Sequence, residues 1–179
     1  MQLTDGNVTI RTMVEQDFPL LLKWLTDPRV LRFYGGRDTN YTPETLAAHY
    51  SEAFESDGFR TIIEYRQQPI GYGQVYRVCG EMFWEYHYPQ TKDVVYAMDQ
   101  FIGEPSHWNK GIGTHYVQMI CAYLKAEKHA SAVILDPHAD NARAIRAYQK
   151  AGFCVIGALP QHELFEGKKA DCLLMECRL

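Results

Sequence analysis

Asn109-Lys110-Gly111-Ile112-Gly113-Thr114 is a turn that can bring backbone amides against an anion. Glycines at 111 and 113 remove the side chains that would hold a ligand away from the main chain. A helical pattern follows at once, so the unpaired N–H groups of a first turn lie at the positive end of a helix dipole. Phosphate suits such a cradle, but two common versions fail on spacing. A Walker loop has its lysine after the last glycine, whereas Lys110 precedes Gly111. A dinucleotide fingerprint needs a third glycine where this chain has Tyr116, and it belongs to the first strand-turn-helix unit. Alone, the glycine pair reads equally well as an ordinary loop. The second chemical feature is Asp99, inside the otherwise apolar run Val94 to Ile102, where aspartate is disfavoured unless something uses it. The alternative is a charge on a solvated strand face.

The elements around these residues follow from periodicity. Val8, Ile10 and Thr12 alternate as a first strand, and Phe18, Leu21, Leu22 and Leu25 share one helix face after Asp17. A turn-rich stretch, Tyr34 to Asp38, leads to a helix capped by Thr42 with Pro43 at its first position. Phe59–Tyr65 and Ile70–Tyr76 read as a hairpin joined by Arg66-Gln67-Gln68-Pro69, and Val94–Ile102 as a further strand. Ile112, Tyr116, Ile120 and Leu124 mark the helix after the glycine turn, and Ala132–Leu135 a buried strand, so a parallel crossover is predicted. A helix from Asn141 to Ala151 ends at Gly152, and strands Phe153–Ile156 and Leu173–Cys177 enclose a polar loop. The expectation is one α/β (α+β) domain over residues 1–179, a mixed, mostly antiparallel sheet flanked by helices.

Composition narrows the partners. A net charge of −4 argues against nucleic acid and favours a cationic ligand. The five cysteines are scattered and never form Cys-x-x-Cys, so they read as reduced thiols. No basic-then-apolar leader and no apolar run of membrane-spanning length is present, and the expectation is a cytoplasmic protein with no membrane partner, monomeric or homodimeric.

The block Asn141-Ala142-Arg143-Ala144-Ile145-Arg146-Ala147-Tyr148-Gln149-Lys150-Ala151-Gly152-Phe153 resembles the second cofactor motif of the GCN5-related N-acetyltransferases. The turn at 109–114 resembles their pyrophosphate loop. With Asp99-Gln100-Phe101, Leu135-Asp136-Pro137, Trp24-Leu25 and Ile70-Gly71-Tyr72, nearly the whole chain resembles the aminoglycoside 6'-N-acetyltransferases within that family. Where the family loop opens with Gln or Arg, this chain has Trp108, which affects a side-chain contact and leaves the main-chain amides in place.

The resemblance implies that acetyl-CoA lies with its pyrophosphate on the amides of Gly111, Ile112, Gly113 and Thr114, with Lys110 adding charge, Asn141 holding the pantetheine amides and the arm beside Phe101 and Ile102. It makes Tyr148 the group that protonates the departing thiolate; on pattern alone Tyr148 reads as a core aromatic. An alkylammonium acceptor must lose a proton, and Asp99 is the natural carboxylate to take it, directly or through water. Asp136 is the second carboxylate expected in the cleft, to bind a substrate ammonium, although Asp-Pro also ends strands for its turn chemistry. Glu81, Trp84, Glu85, Tyr86, His87 and Tyr88, with Glu163, Glu166 and Asp171 from the late loop, are expected to form an acidic, aromatic mouth for a polycationic aminoglycoside. Tyr34 and Gly35 sit where the resemblance places a substrate-lining loop. No metal is called for: Pro137 and the following cap explain Asp136-x-His138-x-Asp140. Rival readings are acetylation of a protein N-terminus or another small amine, and a non-catalytic acyl-CoA sensor.

Overall fold

The computed structural model describes residues 1–179 except 53, 55 and 56. Its strands are β1 (Gln2–Asp5), β2 (Val8–Thr12), β3 (Gly58–Tyr65), β4 (Gln68–Arg77), β5 (Val95–Ile102), β6 (Ala132–Leu135), β7 (Cys154–Phe165) and β8 (Lys168–Arg178). They form one sheet in the order β1-β2-β3-β4-β5-β6-β8-β7, antiparallel at every neighbouring pair except β5 with β6. The helices are α1 (Phe18–Trp24), α2 (Pro28–Leu31), α3 (Pro43–Ser51), α4 (Met82–Glu85), α5 (Ile112–Lys128) and α6 (Ala142–Lys150). This is the α+β arrangement expected, with the parallel crossover running through α5. No helix among the described residues is long and apolar enough to cross a membrane.

The strand period of two sends neighbours to opposite faces. Ile63 joins the core under α5 with Tyr116 and Ile120, while Ile62 joins the core of α1 and α3 with Trp24 and Leu46. Helix α5 sits so close to β4 that a Cβ added at Gly73 would lie 1.9 Å from the Tyr116 hydroxyl, which is 3.1 Å from Thr61 Oγ1. That close approach fixes the axis of α5, and therefore where its N-terminus points.

One break in the sheet creates the site. Strands β5 and β6 pair only from Val95↔Ala132 to Ala97↔Ile134, although β5 runs on to Ile102. Beyond Ala97 the β6-facing edge of β5 has no strand partner among the described residues.

Three expectations change. The late polar loop is a continuous hairpin, β7 with β8, turning at Glu166-Gly167. Strand β7 is a sheet edge that fully buries only Leu159, so it lacks the apolar alternation that marks a strand. The β3–β4 connection tightens to a two-residue turn, Arg66 and Gln67, both with positive φ. Strand β1 and the one-turn helices α2 and α4 were not expected at all.

Candidate active site

A cleft of about 740 Å³ occupies the gap where β5 and β6 part. The glycine turn, the end of β5, the loop Leu135 to His138 and the inner face of α6 line it. Its two ends carry opposite charge.

At one end, Gly111 is the N-cap of α5 in the left-handed region (φ 77°), and no side chain caps the helix. A Cβ added there would meet nothing within 4 Å, so the glycine answers to its backbone angle and to an open face. The first-turn amides through Thr114 are free of a side-chain acceptor, and the turn is pinned from below: Gln100 Nε2 donates to Gly113 O at 3.3 Å and Thr114 Oγ1 to Ala147 O at 3.2 Å. Lys110, Arg143, Arg146 and Lys150 line the same end. Asn141 caps α6, its Oδ1 accepting from Ala144 N at 3.2 Å, which leaves the amide NH2 as the group able to donate to a ligand. Uncapped amides, a cationic rim and an unpaired strand edge together fit a polyanionic carrier with an amide-bearing arm, as coenzyme A is.

Asp99 lies towards the other end, on β5 opposite Gln74 of β4. Its Oδ2 accepts from Gln74 Nε2 at 2.7 Å and from the Tyr76 hydroxyl at 3.4 Å, while no donor among the described residues reaches Oδ1. Burial, with Asp136 and then Glu163 adding negative charge, pushes the Asp99 carboxyl up to about 7 against the pull of Gln74. Asp136 faces His162 at 3.2 Å, and His138 Nε2 donates to Glu163 Oε2 at 2.6 Å. Each carboxylate raises the pKa of its histidine. Ala139 N donates to Asp171 O and Leu173 N to Pro137 O, so the loop bearing Asp136 and His138 is stitched to β8.

The structure brings Phe101, Ile102, the glycine turn, Asn141, Tyr148, Tyr34, Gly35, Asp99, Asp136 and Glu163 to this one cleft. Tyr148 is buried in its wall, and burial first, then Asp99, holds its hydroxyl well above the usual phenol range. Tyr34 packs against Phe101 with ring centroids 4.7 Å apart and the planes tilted by 51°. Trp84, Glu85 and Asp171 do not line the cleft. One-turn α4 buries Phe83 and the following Tyr86, which turns Trp84 and Glu85 outward to solvent. Asp171 Oδ1 accepts from Gln161 N at 2.8 Å, where it holds the irregularity of β7.

Gln74 and Tyr76 of β4 and His162 of β7 line the cleft without any local sequence signal, since they reach it across strands distant in sequence; Tyr86 and His138 line it as well. Tyr76 and Tyr86 hydroxyls are 2.7 Å apart; with Tyr76 donating to Asp99, Tyr86 is the donor in that pair. The run Asp136-x-His138-x-Asp140 does not converge on one point, because His138 turns to Glu163 and Asp136 to His162. His138, Glu163 and Cys172 do place one ligand atom each within 4.8 Å of one another, a spacing that a divalent ion could draw together.

Comparison with known proteins gives the chain its relatives. The family model described as acetyltransferase (GNAT) domain matches residues 13–160. Aminoglycoside N(6')-acetyltransferase type 1 of Klebsiella pneumoniae is 30% identical over 154 residues, covering 84% of this chain and 75% of that protein. The structure of AAC(6')-Ib with ribostamycin and coenzyme A superposes with a TM-score of 0.81 at 28% identity, covering 97% of this chain and 94% of that one. The same enzyme with coenzyme A and kanamycin gives 0.78 at 27% identity, covering 96% and 94%.

Proposed function

The chain belongs to the GNAT acetyltransferase family, and we propose that it transfers the acetyl group of acetyl-CoA to the 6'-amino group of aminoglycosides, removing a positive charge from the drug and so conferring resistance. The observation that supports this best is the bipolar cleft. Uncapped amides and four cations stand at one end, and Asp99, Asp136 and Glu163 at the other, so a polyanionic donor and a polycationic acceptor meet between them.

Acetyl-CoA supplies an activated acyl group when bound; what the protein contributes is position and proton movement. Gly111 to Thr114 and Lys110 hold phosphate, and the unpaired edge of β5 near Phe101 and Ile102 orients the arm. At neutral pH the incoming amine is an ammonium ion and no nucleophile. Asp99, held near neutrality with Oδ1 free of donors, takes its proton, while Gln74 and Tyr76 keep Oδ2 in place. Asp136 and Glu163 attract the remaining ammonium groups of the acceptor. Tyr148 stays protonated at working pH because its pKa is raised, so it can donate to the departing sulfur. A sensor without chemistry would have no use for a half-buried carboxylate poised at neutrality in the cleft. A cytoplasmic enzyme, monomeric or homodimeric, completes the proposal.

The test is the position of the new amide. Product isolated after reaction with kanamycin should carry one acetyl group on the 6'-nitrogen by NMR; acetylation at any other nitrogen would overturn the regiochemistry.

A further inference from the structure

Arg143 stands in the second position of α6 and lines the cationic end of the cleft. It is half-buried, yet among the described residues no acidic group pairs with it and no acceptor takes a hydrogen bond from it. Two aromatic rings hold it instead. Its guanidinium carbon lies 4.2 Å from the centroid of Phe33 and 4.4 Å from that of Trp108, and these rings stand nearly perpendicular, 87° apart, forming a corner. Trp108 is itself anchored, its Nε1 donating to Ile102 O at 2.7 Å.

Such support is unlike an ion pair. A ring face attracts the cation without accepting from its N–H groups, so the guanidinium is fixed in direction while its donors stay open. Burial lowers the pKa of Arg143 with no carboxylate to offset it. A half-desolvated cation with a free planar fork, at the mouth of a phosphate cradle, lacks only its anion.

We propose that Arg143, propped by Phe33 and Trp108, grips a phosphate group of the coenzyme. The inference rests on the acetyl-CoA reading above and adds a recognition residue from α6 to a cradle otherwise built from main-chain amides and Lys110. It also ties the Phe33 segment, which follows α2, to the coenzyme side of the cleft through Arg143.

Binding of CoA, 3'-dephospho-CoA and pantetheine, measured by competition on the full chain without aminoglycoside, tests it. Arg143→Ala should weaken CoA about ten- to a hundredfold, the range of a charge-assisted contact. Arg143→Lys, which keeps the charge and loses the fork, should weaken it less, and pantetheine should bind wild type and both variants alike. A loss that persists with 3'-dephospho-CoA places the grip on the diphosphate; a loss that vanishes with it places the grip on the 3'-phosphate. An equal loss for all three ligands, or none for CoA, overturns the proposal. Wild-type protein that fails to bind CoA at all overturns the coenzyme reading itself, whereas normal binding by wild type and Arg143→Ala together removes only the grip.

Discussion

Gln74 Nε2 donates to Asp99 Oδ2 at 2.7 Å from the facing strand, while Gln74 Oε1 accepts from the Tyr72 hydroxyl at 3.0 Å. The amide is thereby locked with its donor towards the carboxylate. This hydrogen bond favours the charged form of Asp99, and Asp136 opposes it. The acid limb of kcat/KM should therefore move in opposite directions in two variants. Gln74→Leu removes a group that lowers the pKa and should shift the limb to higher pH; Asp136→Asn removes negative charge and should shift it to lower pH. Shifts of the same sign would show that Asp99 does not set the limb.

Asp99→Asn keeps the shape of the site and removes the proton acceptor. We expect kcat to fall about 10²- to 10⁴-fold with acetyl-CoA binding unchanged. An unchanged kcat in steady-state assays would remove Asp99 from the chemistry.

The same substitution should stabilise the fold. Asp99 has a folded-state pKa of about 7, above its ordinary 3.8, so the native state binds the extra proton. Its contribution to stability is therefore complete below the unfolded pKa and is lost as pH rises through the folded one. Melting temperatures should show Asp99→Asn above wild type at about pH 8, with the gap closing near pH 4. A gap that grows towards acid would contradict the assigned sign.

Tyr148→Phe removes only a hydroxyl in the cleft wall. As the proton donor to sulfur, its loss should lower kcat about 10²-fold while KM for both substrates stays near wild type. A change confined to stability would return Tyr148 to the status of a core aromatic.

Gly111→Ala meets no neighbour within 4 Å but forces a Cβ into the left-handed region. Thermal unfolding should register a loss of about 1–2 kcal/mol. The KM for acetyl-CoA should rise as well, because the methyl group stands on the face left open for phosphate; a loss of stability with unaltered KM would separate Gly111 from the coenzyme.

What could be read along the chain was local. The glycine turn, the Thr42-Pro43 helix start, the Asn141 cap and the position of Asp99 in an apolar strand all depend on near neighbours, and the structure has each of them where the pattern put it. Function-bearing groups set by cross-strand register were invisible. Nothing near Gln74 marks it as the partner of Asp99, and nothing near Phe33 or Trp108 announces Arg143. The polar edge strand β7 acts in the other direction: with one fully buried residue it reads as loop, which suggests a ligand-facing Asp171, whereas in the fold that side chain lies off the cleft and holds the backbone of β7.

The central claim is that the acidic end of the cleft delivers a 6'-amine to the acyl group. The most direct measurement is release of free thiol from acetyl-CoA by the purified chain. Kanamycin should give rapid release and an aminoglycoside bearing a 6'-hydroxyl none. Release with peptides but not with kanamycin would contradict the account.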